Sequence, residues 1–341
     1  MKHTTTAILV LSWIPQWLFL WWCQNHPEWV DRYYTLGLYP WWQFFRTYFV
    51  ERLVFSFGDL CYLGLFLSVL FFIYSKGKSL FLKPWDYFFQ SLGILALIHL
   101  FFQLSWGLNY HQSSMASQQN ITLEYSEQDL VETIDTLLFR INSLHNSLSK
   151  SDSVTVDFPL EKEDYLGLLD APSAKTSLWS LPLSYMGYAG YLNPFTGEAQ
   201  VNGRLPTLSF ILTAAHEKAH QRGIAAEEEA NFYAFTTTYK HHNSYIRYAA
   251  FSFALRYCWS ALHKLQPKRA EIYKQNLHPG IIKEYQQQQD FWKAYQNPLQ
   301  PLVNKIYDWI LKANGQAAGR KYYSQVAVSY THLTLPTILL V

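Results

Sequence analysis

The chain has little cysteine and almost no excess of charge. Its 341 residues contain three cysteines, Cys23, Cys61 and Cys258, far apart and without a C-x-x-C pair. That spacing excludes a disulfide framework. Lys and Arg outnumber Asp and Glu by 27 to 25, a net charge of +2, and nothing in that balance points to a nucleic-acid partner. Small residues of a lipoprotein cleavage site do not precede Cys23, which follows Trp21 and Trp22, so no lipid anchor is expected. The first apolar run also lacks a small-residue cleavage site after it. It reads as an uncleaved anchor rather than a removed signal peptide.

Aromatic residues are abundant, at 18% of the chain with 13 Trp. A mean hydropathy of −0.08 hides an asymmetry: the first third is strongly apolar and the rest resembles a soluble domain. Three spans are expected, at about 7–23, 53–74 and 87–106, each near the length that crosses ~30 Å of hydrocarbon. The first is short and contains Pro15 and Gln16. Trp and Tyr crowd the ends of the spans, as interfacial belts do. The aromatic stretch at 39–42 reads as lying along the interface. Lys76, Lys78 and Lys83 place the loop between spans two and three in the cytoplasm, although Arg32, Arg46 and Arg52 in the first loop oppose this. The amino terminus is then inside and everything after Trp106 outside. This implies a multi-pass protein of the bacterial cytoplasmic membrane with an extracytoplasmic domain. Asp59 and His99 lie within spans, and hydrogen bonding at the interface or between helices is the simplest role for both.

The expected organisation is a membrane domain at 1–106 and an extramembrane domain at 107–328. The fold class is mainly α: three transmembrane helices, then a zincin-like, predominantly helical α+β domain. Ser126 and Asp129 mark a helix start, followed by Leu130, Ile134, Leu137, Leu138, Ile141, Leu144 and Leu148 at helical spacing. Residues 149–153 read as a polar linker. The stretch 179–204 suggests short strands and turns, with 198–202 an edge strand suited to pairing with extended substrate or simply part of a hairpin. Helices are expected at 227–240, 245–265, 281–294 and 302–312, with Gln286 to Gln289 as a polar face. Residues 329–337, SYTHLTLPT, resemble the translation of a sequencing-library adapter, so 329–341 is set aside from the fold.

The organising stretch is TAAHEKAHQRGIAAEEEANFYAF, which contains the H-E-x-x-H motif His216, Glu217 and His220. Residues four apart share one helix face, so both imidazoles reach one metal ion. Zn2+ in a hydrolytic site takes three protein ligands and keeps one position open. Gly223 permits a sharp turn, and Glu227, Glu228 and Glu229 follow in the first turn of the next helix, where the dipole favours acids. Glu227 is the expected third ligand, with Glu228 the fallback. Metzincins would need His or Asp at position 226, where this chain has Ala226.

The chain resembles the family named domain of unknown function 3810, bacterial membrane proteins regarded as zincin-like peptidases. The features that carry the resemblance, in order, are Ser56 to Leu60 (SFGDL), Trp106 to Tyr110 (WGLNY), Asn193 to Ala199 (NPFTGEA), and His216, Glu217, His220, Gln221 and Gly223. Glu227, Glu229, Ala230, Asn231 and Phe232 follow, and then Lys312 to Gln316 (KANGQ). It spans nearly the whole chain to about residue 328. The E-x-x-A-N step is also similar to the E-x-x-A-D step of integral-membrane zinc peptidases. That likeness maps the third ligand to Glu227 and puts Asn231 in a supporting position, for which Glu228 is a further candidate. Residues 194–199 are expected to pack against the active site, with no role assigned to Glu198.

These readings imply a membrane-anchored zinc peptidase. Zinc on His216, His220 and Glu227 would activate water, with Glu217 as general base. Tyr233, Tyr239, His241 and Arg256 are candidates for steadying the oxyanion. The partners are a peptide or protein substrate and the lipid bilayer; the oligomeric state stays open. Three other readings also stay open: a zinc-binding envelope scaffold without catalysis, a membrane sensor or assembly factor with a coincidental motif, and hydrolysis of a non-peptide amide.

Overall fold

A computed structural model describes residues 3–118, 126–169 and 174–314. The chain is mainly helical and divides into two units. One comprises residues 1–113 with 193–198, the other 114–192 with 199–341. The adapter-like run lies outside the described residues.

Three helices of the N-terminal unit are long and apolar enough to cross a membrane, and they make this a membrane protein by length and composition. The first runs over 3–24 with a break at Ser12 between His3–Leu11 and Trp13–Gln24. Pro15 falls in the first turn after that break, where a missing N–H costs little. The second, Phe57–Leu82, begins and ends later than expected. Its start is fixed by Ser56, whose hydroxyl accepts from the Asp59 N–H at 3.0 Å. Lys76 and Lys78 therefore belong to its last turns, not to a loop. Only Lys83 separates it from the third, Pro84–Ser105, which opens on a proline suited to the first helical position.

Polar groups in the spans are paired between helices. Gln16 is buried and donates to the Ala96 carbonyl at 3.2 Å. His99 donates from Nδ1 to Gln16 Oε1 at 2.8 Å, the helix–helix role expected for it. Trp13 donates to the Leu92 carbonyl at 3.2 Å. The aromatic segment after the first span is helical throughout, with wide turns over Val30–Leu38 and an α-helix at Tyr39–Val50. The turn Gly107–His111 belongs to this unit, held by Thr35 donating to Asn109 Oδ1 at 3.1 Å and Ser113 N–H donating to Asp31 at 3.0 Å. The boundary consequently falls at 113 rather than 106.

Residues 193–198 also belong to this unit. Both Glu198 carboxylate oxygens accept backbone N–H groups at the start of the second span, from Phe57 at 3.1 Å and Gly58 at 2.6 Å. Helix starts attract carboxylates because their first N–H groups lack partners. Gln43 donates to the Gly197 carbonyl at 2.8 Å, Arg46 donates to the Pro194 carbonyl, and Phe195 stacks on Phe101 with ring centroids 5.6 Å apart. A Cβ on Gly58 would collide with the Asn193 and Thr196 side chains, so this close approach requires glycine. Two sequence features that looked unrelated, SFGDL and NPFTGEA, are the two halves of one contact.

The second unit is built on helix pairs. Glu127–Leu148 opens with a reciprocal cap between Ser126 and Asp129, and it packs Leu130, Ile134, Leu137 and Ile141 against Ser244–Leu265. Shorter helices at Lys162–Leu168 and Pro267–Gln275 complete the core, with Pro279–Ala294 and Gln300–Ala313 near the expected positions. The stretch 179–204 is less extended than expected, because Ser180–Met186 is helical and places Pro182 in its first turn. A three-stranded sheet has the order β1 (Ala174–Thr176), β3 (Ala199–Val201), β2 (Gly190–Leu192). β3 pairs in parallel with β1 and antiparallel with β2. The strand expected at an edge is therefore central, with its ladder groups facing two neighbours. Its polar residues are buried rather than solvated, and Asn202 beside it donates to Ser184 Oγ at 2.9 Å. Gln288 departs from the expected polar face. It is buried and accepts from Ser209 at 3.0 Å and Arg256 at 2.8 Å.

Candidate metal centre

The motif lies on the helix Thr207–Gln221, which is anchored in the core by Phe210, Ile211, Leu212, Ala214 and Ala215. One turn separates His216 from His220, so both rings emerge on the same side. The helix ends at Gly223, whose φ of +87° is a left-handed value that strains any residue with a Cβ. Gly223 N–H donates to the His220 carbonyl at 3.0 Å, and Ile224 N–H to the Ala219 carbonyl at 3.2 Å. This reversal brings the Ile224 carbonyl onto His220 Nδ1 at 2.7 Å. Three residues later the helix Glu227–Thr238 starts, and its first side chain faces the two imidazoles.

The three candidate ligand atoms converge. His216 Nε2 lies 3.0 Å from His220 Nε2 and 3.2 Å from Glu227 Oε2. Glu227 Oε1 is 3.8 Å from His220 Nε2. This is the group of possible metal ligands found among the described residues. Of the two glutamates left open by sequence, Glu227 belongs to this group and Glu228 does not.

The tautomers follow from the outer hydrogen bonds. A backbone carbonyl only accepts, so His220 carries its proton on Nδ1 and presents a lone pair at Nε2. His216 Nδ1 donates likewise to Asn231 Oδ1 at 2.9 Å, the supporting position expected for Asn231. Two ring nitrogens and a carboxylate then face one another at 3.0 to 3.8 Å. A shared cation would fit between them. Two nitrogens bound tetrahedrally to one zinc sit about 3.3 Å apart, so the observed separations fit it.

Charge in the cluster is uneven. Burial would raise the Glu227 pKa, but its contact with His216, the charges of both histidines and the Tyr307 hydroxyl hold it down at about 2. Burial pushes His216 down, and Glu227 more than restores it, leaving a net upward shift. His220 is lowered to about 4 by burial and by His216. Glu217 is 4% exposed and raised to about 8, chiefly by burial. Its Oε2 is buried with no hydrogen-bond partner. On the other side of Glu217 runs β2, where a Cβ at Gly190 would stand 2.8 Å from Glu217 Oε1. Only glycine lets that strand pass so close.

Tyr307 was not legible as a site residue. It lies on the helix Gln300–Ala313, and its hydroxyl donates to Glu227 Oε1 at 2.7 Å from 80 residues away in the chain. The residues expected to steady an oxyanion make the following contacts. His241 accepts from Asn243 N–H at Nδ1 and donates from Nε2 to the Leu168 carbonyl. Tyr239 stacks on Phe235, Arg222 lies over Tyr233, and Arg256 donates to Gln288.

These features define a helical membrane protein with a partly buried His–His–Glu group beside a carboxylate that has one unpartnered oxygen. The chain belongs to a family of proteins of unknown function (DUF3810), whose model matches residues 34–329. No curated protein and no solved structure matches it.

Proposed function

We propose that this protein is a membrane-anchored zinc-dependent metallopeptidase with a zincin-like catalytic unit. The observation that carries the reading is the pairing of two outwardly locked histidines and Glu227 with a buried Glu217 oxygen that has no partner. A purely structural metal site has no use for such a carboxylate, because burying it without a hydrogen bond costs stability. His216, His220 and Glu227 would hold the zinc, with Asn231 and the Ile224 carbonyl fixing the two rings. When bound, zinc supplies Lewis acidity toward the scissile carbonyl and lowers the pKa of water. Glu217 takes the proton of the attacking water at its free oxygen and returns it to the leaving nitrogen. β2, an outer strand beside Glu217, replaces β3 as the element that extended substrate backbone would join. The substrates are peptides or proteins. In this reading the chain sits in the bacterial cytoplasmic membrane, with Lys83 on the cytoplasmic side and the second unit outside.

The test is metal content of the detergent-purified protein alongside Glu217→Gln and His220→Ala, followed by peptide hydrolysis. One zinc per chain in wild type and Glu217→Gln, loss in His220→Ala, and hydrolysis by wild type alone are expected. Zinc in both without hydrolysis by either would leave a zinc-binding scaffold. Absence of zinc in all three after add-back would reject the metal reading itself.

A further inference from the structure

The helix Gln300–Ala313 has two opposed faces. One holds it to the second unit: Leu311 is buried, and the Tyr307 ring meets that of Tyr188 at 5.4 Å. The other face carries Leu302, Ile306, Trp309 and Ile310, which are 56%, 51%, 69% and 40% exposed. At ~100° per residue these four fall within an arc of about 100°, with Leu311 roughly opposite and Tyr307 outside the arc on the Ile310 side. No charged residue lies inside the arc. Lys305 and Lys312 run along one margin of it, and Lys312 there pairs with Asp308 at 2.6 Å.

Such a stripe is costly to leave in water. Its composition matches a helix lying in a membrane interface, with leucine, isoleucine and tryptophan on one side and lysines where anionic headgroups begin. The chain also carries helices able to cross a bilayer, so a lipid surface is tethered to this domain at high local concentration. A second copy fits less well. Packed antiparallel about a twofold axis, two such stripes bring their lysine margins together.

We infer that Gln300–Ala313 is a membrane-docking surface, which sinks Leu302, Ile306 and Trp309 into the boundary of an anionic bilayer and sets Lys305 and Lys312 at its headgroups. The inference does not depend on the catalytic reading. It does mean that the helix delivering Tyr307 to Glu227 rests on lipid.

Nitroxide labels test it in the full chain, with the exposed Cys61 replaced by serine and Cys23 and Cys258 left in place because they are buried. Single cysteines replace Ile306, Trp309 or, as the marginal control, Lys305. Each labelled protein is reconstituted in vesicles of phosphatidylcholine with phosphatidylglycerol, and in phosphatidylcholine alone. Collisions with oxygen and with a water-soluble nickel chelate are read by spin resonance. The oxygen-to-nickel ratio at 306 and 309 should exceed that at 305 by about threefold or more, and the excess should shrink without the anionic lipid. Equal ratios at 305 and 306 would place the stripe in water and overturn the inference. Exclusion of both reagents at 306 would overturn it in favour of a protein cover, either a second copy or residues 315–341.

Discussion

Glu198 and Glu217 are both buried, one in each unit, and they are held in opposite ways. Both oxygens of Glu198 accept backbone N–H groups at the head of the second span, so its carboxylate closes a gap that every helix start leaves. Glu217 lies in the middle of a helix whose backbone is already paired, and one of its oxygens has no partner. A buried carboxylate costs free energy unless donors surround it. At Glu198 that cost is met and stability results. At Glu217 it is left open, and the proposed general-base role rests on that oxygen.

Substitution should separate the two glutamates cleanly. The largest effect is expected at Glu217→Gln, with peptide hydrolysis lower by about 10²–10⁴-fold while zinc content and the unfolding temperature hold. A variant that hydrolyses as fast as wild type would remove Glu217 from the reaction. Glu198→Ala should do the reverse. Two N–H groups lose a charged acceptor, for a loss of about 3–5 kcal/mol in the N-terminal unit. Glu198→Gln keeps one good acceptor and should recover part of this. The measurement is thermal unfolding in detergent beside zinc content, and the contrast fails if Glu198→Ala unfolds like wild type.

Glu284 sharpens the comparison as an intermediate case. Its oxygens accept from Val156 N–H at 2.7 Å and from the Tyr248 hydroxyl at 2.6 Å, yet burial pushes its pKa from 4.5 up to about 7. Two neutral donors do not offset the loss of water. Between those values the folded state binds more protons than the unfolded one, so this group's contribution to stability falls as pH rises from 4.5 through 7. The integrated loss is about 3 kcal/mol. Glu284→Gln keeps an acceptor for Val156 and gains a donor for Tyr248. The variant should lack that slope and be the more stable protein at pH 8. Denaturant unfolding of both proteins from pH 4.5 to 8 gives the difference directly, and parallel curves would reject it.

What the sequence made legible was local. H-E-x-x-H spacing, the turn at Gly223 and the acid opening the next helix all act within twelve residues, and helix geometry alone brings them together. The Ser126 cap and the leucine periodicity after it are of the same kind. Contacts across the fold were not legible. Nothing near Glu198 announces that its partners are the N–H groups of residues 57 and 58. The buried state of Gln288 likewise depends on Ser209 and Arg256, from two other helices. The second span was placed too early because its late lysines look like a loop.

Tyr307 belongs to that second group, and it carries the smallest expected effect. Its hydroxyl donates to Glu227 Oε1, while Oε2 is the nearer oxygen to His216. One oxygen thus takes the outer bond on the His220 side, and the other is turned toward His216. Removing the hydroxyl leaves Glu227 free to rotate about its last bond, a disorder that metal binding must then freeze out. Tyr307→Phe keeps the ring against Tyr188 and loses only this restraint. Zinc affinity, read by competition with a chromophoric chelator, should fall by about tenfold, near the lower end for loss of a group that orients a ligand. Unfolding temperature should change little. An unchanged affinity would mean that His216 alone orients Glu227, and that Tyr307 contributes to packing and not to the centre.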